Sequence, residues 1–320
     1  MTDVSASLSV TPASDAARMA RGLLVEGLKE VSRGAEGVIY RLSAGEVAKV
    51  FFDALADDRV EREYAHSALA HGGGIPTWKV DRLVRENGRR YIVGSFEAGR
   101  RLSLEVRQRP YKALALMRRF GALHGRLHRL PVGTTAACPS PDADEAAAAL
   151  AGLVGPAALA RVRHMAATAE RGFCHGDLSL TNMLYAGERL IVLDWARSGV
   201  GPLTADVGRT CAFILASKFR GGPRSLTMAF RRMLVGAYVG AYVAETGRSA
   251  WEIRLWTAVF LARKLGRPLP QDRLAAIRAE ALRISDEVFE APRPIRRAVD
   301  ALRPRLTSFA LSAPAMLALV

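Results

Sequence analysis

Cysteine is scarce: Cys138, Cys174 and Cys211 are the only three in 320 residues, and they form no Cys-x-x-Cys pair. That excludes a disulfide framework and a thiolate zinc site, and it points to a reducing, cytoplasmic compartment. Cys174, next to the main motif described below, reads as a buried, inert thiol. Long apolar runs are missing too. The best candidate, residues 306–320, falls short of the roughly 18–20 residues that span a bilayer and is interrupted by Thr, Ser and Pro, so no transmembrane segment is expected. The opening MTDVSASLSVTPASDAARMA lacks the basic start and apolar centre of a signal peptide, and residues 1–22 read as a disordered leader. Acidic residues are the scarcer charge, 31 Asp and Glu against 46 Lys and Arg, for a formal net charge of +15. Aromatics supply only 7% of the chain, and no basic ridge interleaved with them occurs. The surplus arginines sit in Ala- and Leu-rich stretches, where solvated helix faces explain them better than nucleic-acid contact. Composition therefore disfavours nucleic acid as a partner and does not exclude it.

What is present is enough apolar sequence, 50% of the residues, to bury a large core in one or two lobes. The first hundred residues read β-β-β-α-β-β. VSRGAEGVIYRL turns at Gly34 and Gly37, and Ser43–Glu46 makes a second turn. VAKVFF is then a β-branched, aromatic strand whose one charge is Lys49. A helix over VEREYAHSALAH follows, with Asp57 and Asp58 as expected caps and Gly72–Gly74 as its stop. Strands near 79–83 and 90–93 flank the turn Glu86-Asn87-Gly88. Beyond Gly99 the texture is helical. Tyr111–Leu130 carries apolar residues at helical spacing, 145–170 is Ala-rich and broken near Gly155-Pro156, and 205–290 is helical again. In VGAYVGAYVA, Gly236 and Gly240 offer a close-packing face for a soluble helix.

Chemistry concentrates between these regions. HGDLSLTN runs from His175 to Asn182, and LDWA from Leu193 to Ala196. The segment between them, around Ala186-Gly187-Glu188, reads as a β-hairpin. Antiparallel pairing makes Asn182 and Asp194 neighbours, and two oxygen ligands facing one point suit Mg²⁺. Asp177, in the loop before the hairpin, is placed to orient an attacking hydroxyl.

HGDLSLTN resembles the catalytic loop of the kinase superfamily, in which an Asp precedes a metal-binding Asn by five residues. Gly176 in place of the usual protein-kinase Arg, and LDWARSGVGPLTADVGR in place of Asp-Phe-Gly, resemble the aminoglycoside phosphotransferase family, which includes choline, homoserine and fructosamine kinases. The resemblance spans roughly residues 31–280. It implies a bilobal α+β, protein kinase-like fold with a small antiparallel β-sheet N-lobe carrying one helix over a larger, mainly helical C-lobe. Boundaries follow at 23–96 for the nucleotide-binding lobe and 97–290 for the catalytic and acceptor lobe, with 291–320 an extension of unassigned role. It implies ATP and Mg²⁺ as cofactors, Asp177 as catalytic base, and Asn182 and Asp194 as metal ligands. His175 and Asp206 would be structural supports of the site. Gly34 and Gly37 would turn over the phosphates, and Lys49 would contact them. Glu63, preferred over Glu61, would pair with Lys49, because a lone Lys in an apolar strand needs a counter-charge. Ser95, Phe96 and Glu97 would present backbone to adenine. Gly94 stands where a bulkier residue usually borders the adenine pocket.

The expected activity is transfer of the γ-phosphate of ATP to a hydroxyl of a small molecule. The alternatives are a non-catalytic kinase-like nucleotide-binding module and a kinase with a macromolecular substrate. The missing Ala-Pro-Glu segment and the short stretch after Asp194 disfavour the second. The acceptor stays open. A polycation wants a carboxylate-lined cleft, yet basic residues outnumber acidic ones about two to one from Gly201 onward. Glu245, Glu252, Asp286, Glu287 and Glu290 remain as candidate acidic lining, and neutral or anionic acceptors stand equally.

Overall fold

The computed structural model describes residues 28–86, 89–132, 137–138, 140–217 and 224–289. The expected leader at 1–22 and extension at 291–320 lie outside them, as do Asn87 and Gly88 of the expected turn and Glu290.

Period-2 patterning builds the N-terminal sheet. β1 (Glu30–Arg33), β2 (Gly37–Arg41), β3 (Glu46–Phe51), β4 (Val80–Glu86) and β5 (Arg89–Ser95) form one antiparallel sheet in the order β1-β2-β3-β5-β4. Alternation along β3 sends Val47 and Phe51 into a cluster with Val60, Trp78 and Ile92, while Ala48 packs with Tyr91 and Val93 on the other face. Lys49 shares the first face, which α1 (Asp57–Gly72) covers. The α1 start differs from the expected caps. Ala56 is the N-cap residue and no side chain caps it; Asp57 and Asp58 lie inside the first turn. There they complement the helix dipole and pair with Arg90 and Arg62.

The C-terminal part is mainly helical: α2 (Leu102–Gln108), α3 (Pro110–Leu127), α4 (Ala143–Ala151), α5 (Pro156–Thr168), α6 (Leu203–Ala216), α7 (Arg224–Thr246), α8 (Ala250–Leu265) and α9 (Gln271–Phe289). Short strands are inserted among them. β6 (Arg100–Arg101) joins the hairpin β8 (Met183–Ala186) and β9 (Arg189–Val192), and β7 (Arg171–Cys174) pairs with β10 (Gly199–Pro202). α3 and α7 pack closely at Gly121, where a Cβ would lie 2.0 Å from the Tyr238 carbonyl. The close-packing glycine is thus on α3. Gly236 and Gly240, expected in that role, face open space, because Tyr238 and Tyr242 are the α7 residues turned inward. No helix among the described residues is long and apolar enough to cross a membrane. The hairpin is tied to the sheet side by Val192 N–H donating to Pro76 O at 2.8 Å and Thr77 Oγ1 donating to Val192 O at 2.7 Å.

Candidate active site

The segment after β7 is held by one carboxylate. Asp206, in the first turn of α6, accepts the His175 N–H on Oδ2 at 2.7 Å and the Gly176 N–H on Oδ1 at 3.0 Å. His124 Nε2 in the last turn of α3 and His128 Nε2 at its C-cap reach the same Oδ2 at 3.2 and 3.4 Å. Their Nδ1 atoms pair with the hydroxyls of Tyr238 and Tyr242. Burial opposes ionisation of Asp206, yet the two imidazole hydrogen bonds hold it well below the usual carboxylate range. Burial, reinforced by His124, pushes His128 down to about 3, so His128 is neutral, donating from Nε2 and accepting at Nδ1. His124, His128 and Asp206 also lie close enough to ligate a metal. Each imidazole nitrogen already has a protein partner, however, so the cluster is a buried brace. Gly176, at φ +76°, has the Arg197 carbonyl 2.2 Å from where a Cβ would stand, which leaves room for glycine alone.

The expected hairpin forms, and it sets Asn182 opposite Leu193, the residue before Asp194. Met183 is paired with Val192, and just outside that pair Leu193 N–H donates to Asn182 O at 2.9 Å. Asp194 follows at φ +70°, the one non-glycine residue with positive φ among those described. Such a conformation costs energy and turns the side chain toward the sheet. Asn182 Nδ2 donates to Asp177 O at 3.0 Å and approaches Asp177 Oδ2 at 3.5 Å. His175 ties the two halves: Nδ1 accepts from Asp177 N–H at 3.3 Å and Nε2 donates to Leu193 O at 3.1 Å. Burial lowers its pKa, consistent with one neutral tautomer doing both.

Lys49 reaches this point from β3. Its Nζ lies 2.9 Å from Glu63 Oε1 and 3.4 Å from Asp194 Oδ1. Burial works against the ammonium, but Glu63 and Asp194 outweigh it and raise its pKa. Burial pushes Glu63 above the ordinary carboxylate range even against the pull of Lys49. Asp194 also resists burial, and Lys49 and His175 draw it below its usual value. Glu61 instead pairs with Arg85 at the surface, so α1 turns Glu63 rather than Glu61 toward Lys49. Asp177 is pushed up to about 6, first by burial and then by Asp194 and Asp206, with Arg197 and Arg209 pulling the other way.

At the rim of the sheet, Gly34 N–H donates to Gly37 O at 2.9 Å, closing the β1–β2 turn. Gly37 is required by the close approach of β3, since a Cβ there would sit 2.2 Å from Val50 O. Ser95 N–H and Phe96 N–H are already committed, to Lys79 O and Gly45 O, each at 2.8 Å. Any backbone recognition of adenine by this segment therefore falls to its carbonyls and to amides beyond Phe96. Ser95 Oγ donates to Glu97 Oε1 at 3.0 Å, and the Phe96 ring lies under Arg41, 3.4 Å from centroid to Cζ. Gly94 is small for a local reason. A Cβ would be 2.6 Å from Lys79 O and 3.0 Å from the Trp78 indole, which occupies the space a larger side chain would fill.

The donor set fits a hard cation. Asp194 is a carboxylate, and Asn182, its NH₂ turned to Asp177, has a carbonyl oxygen as its remaining ligating atom; oxygen donors of this kind suit Mg²⁺. The sequence reading passed over His124 and His128, though the i, i+4 pair in HGRLH is the signal that finds them. It also passed over Thr77, whose Oγ1 accepts from Trp195 Nε1 at 3.1 Å and locks LDWA to the sheet side. Among the acidic residues held open for acceptor binding, Glu245 pairs with Arg129, Glu287 with Arg283, and Glu252 accepts from Thr204.

The antiparallel sheet over a mainly helical part, with Lys49 bridging Glu63 and Asp194, agrees with a phosphotransferase of the protein kinase-like superfamily, the class that the family match gives. The chain belongs to the phosphotransferase enzyme family (APH), which matches residues 27–252. Among solved structures it resembles aminoglycoside phosphotransferase APH(4)-Ia, with TM-score 0.56, 14% identity, and coverage of 85% of this chain and 98% of that one. A choline/ethanolamine kinase family protein from Mesorhizobium loti gives TM-score 0.51 at 17% identity, covering 89% and 97%. A type VIII aminoglycoside-3'-phosphotransferase gives 0.50 at 21% identity, covering 86% and 98%. No curated protein matches the chain.

Proposed function

We propose that the protein transfers the γ-phosphoryl group of ATP, with Mg²⁺, to a hydroxyl of a small molecule. The observation that carries this reading is the meeting of Lys49 with both Glu63 and Asp194, while Asn182 holds Asp177 beside them. In this reading Lys49 binds the nucleotide phosphates and Glu63 fixes its position. Asn182 and Asp194 hold the metal, which would draw charge from the phosphate oxygens. Gly34 and Gly37 shape the turn above the phosphates, and Ser95–Glu97 border the base. Asp177, with its raised pKa, accepts the proton of the attacking hydroxyl, and Asp206 and His175 keep it in place. Catalysis then rests on positioning and charge stabilisation. Similar folds have been crystallised with AMP-PNP and hygromycin B, and with AMP-PNP and Ca²⁺, which supports a nucleotide and a divalent cation here.

The test is ADP release from ATP and Mg²⁺ across a panel of hydroxyl compounds, wild type against Asp177→Asn. Wild type should turn over at least one acceptor, with the variant about 10²–10⁴-fold slower and nucleotide binding retained. Normal turnover by the variant would remove Asp177 from its role. ATP binding without turnover on any acceptor would favour a binding module instead.

A further inference from the structure

A pocket of about 380 Å³ opens beside Asp177, and positive charge dominates its lining. Arg197, Arg209, Arg263, Lys264 and Arg267 converge on it from the post-hairpin segment, from α6 and from the end of α8. Its position next to the catalytic loop follows from packing. The Arg197 carbonyl presses on Gly176, and Thr210, the residue after Arg209, donates its hydroxyl to Leu178 O at 2.7 Å. Arg197 and Arg209 both pull on Asp177, and Asp177 acts in turn on Lys264.

The floor is apolar and orients the cations. The Arg209 guanidinium lies 4.9 Å from the Phe260 ring centre and Lys264 Nζ lies 4.1 Å from that of Phe213. One carboxylate, Glu145, shares the lining, and it is paired with Arg263. The Ser140 hydroxyl, buried in the same wall, has no hydrogen-bond partner among the described residues. Solvated arginines on a convex face would spread apart, whereas these crowd into one concavity of small-molecule size. The crowding has a cost. Burial first, and then Arg267, Arg209 and Arg273, push the Lys264 ammonium down to about 8.

We infer that this pocket takes an acceptor carrying, besides its reactive hydroxyl, an anionic group, either a phosphate or a carboxylate. The inference rests on the phosphotransferase reading only in calling the ligand an acceptor. An incoming anion relieves the repulsion among the cations, offers oxygens to Lys264, Arg267 and Ser140, and leaves the hydroxyl end of the molecule toward Asp177. A polycationic acceptor meets the opposite sign throughout.

Matched probes differing in charge test this: glucose, glucosamine, gluconate and glucose 6-phosphate at millimolar concentration, added to protein saturated with AMP-PNP and Mg²⁺. The readout is the melting temperature and its half-saturating probe concentration. At least one of the two anions should stabilise the protein, and which one does so separates carboxylate from phosphate. Glucose and glucosamine should not. Lys264→Gln and Arg267→Gln should each weaken anion binding about tenfold, about 1.4 kcal/mol. Arg267 is exposed, so its variant keeps the test valid should Lys264→Gln fold poorly. Equal or stronger stabilisation by glucosamine or glucose, silence of both anions, or anion affinity unchanged in the Arg267→Gln protein would each overturn the inference. AMP-PNP and Mg²⁺ without any probe form the separate arm. If that arm fails to stabilise wild type, the phosphotransferase reading falls. If it succeeds while both anions fail, only the acceptor inference does.

Discussion

The two banks of the cleft balance their charges differently. On the nucleotide bank one ammonium, Lys49, stands between two carboxylates, Glu63 and Asp194, and all three are partnered within the protein. On the opposite bank several cations crowd around Asp177 and an apolar floor, with Glu145 the only carboxylate in the pocket lining among the described residues. The first bank is assembled before any ligand arrives, which is the preorganisation that the proposed metal–nucleotide complex would require. The second gathers more cations than carboxylates along its described lining, which is the ground for the anionic acceptor inferred above.

The loop that carries Asp177 between the banks stands on Asp206, and removing it should have the largest effect. Asp206→Ala strips the partner from the His175 and Gly176 amides and from both buried histidines, at a cost of about 3–5 kcal/mol. Thermal unfolding should show a melting temperature lower by roughly 10 °C; an unchanged value would mean that the brace carries no weight.

The pH profile separates the banks. Asp177 acts as base only when ionised, and its pKa of about 6 lies above the ordinary 3.8. Turnover should therefore fall about tenfold per pH unit below about 6 and level off above it, while nucleotide affinity follows a separate profile set by Glu63, the partner of Lys49, whose carboxyl burial raises. The sign for stability is opposite. A carboxyl whose folded pKa is raised is disfavoured in its ionised form by folding. Its penalty grows as pH rises from 3.8 through about 6 and is fully present above that. Asp177→Asn should accordingly stabilise the unliganded protein at pH 8, by at most about 3 kcal/mol, and not at pH 3.

The smallest effect should come from Gly94→Ala, which touches the nucleotide bank alone. Its methyl would press on Lys79 O and the Trp78 ring, costing about 1–3 kcal/mol and weakening nucleotide binding. Acceptor affinity measured at saturating nucleotide should not change.

Much of this cleft was legible in the sequence where one local pattern fixes one neighbour. Lys49 stood out as the one charge in the apolar strand VAKVFF, and the family resemblance, not spacing, made Glu63 rather than Glu61 the candidate to meet it. The Ala186-Gly187-Glu188 turn announced the hairpin and the approach of Asn182 to the Asp194 end, though the register sets Asn182 opposite Leu193, one residue earlier. What escaped were features assembled from distant segments or lacking pattern. β6 is two arginines, and β10 is GVGP, which carries no strand signature. The α1 start misled because acidic residues suit a first turn as well as a cap. Gly236 and Gly240 misled because spacing alone does not say which face a helix buries. The basic pocket draws on residues 140 to 267, so averaged charge gave its sign but not its place.

The central claim is that Lys49, Asn182 and Asp194 form one metal–nucleotide site, and the most direct test is calorimetric titration of AMP-PNP with and without Mg²⁺. Wild type should bind the nucleotide markedly more tightly with Mg²⁺, and Asp194→Ala should abolish that enhancement without unfolding the protein. An enhancement of equal size in the variant would contradict the account.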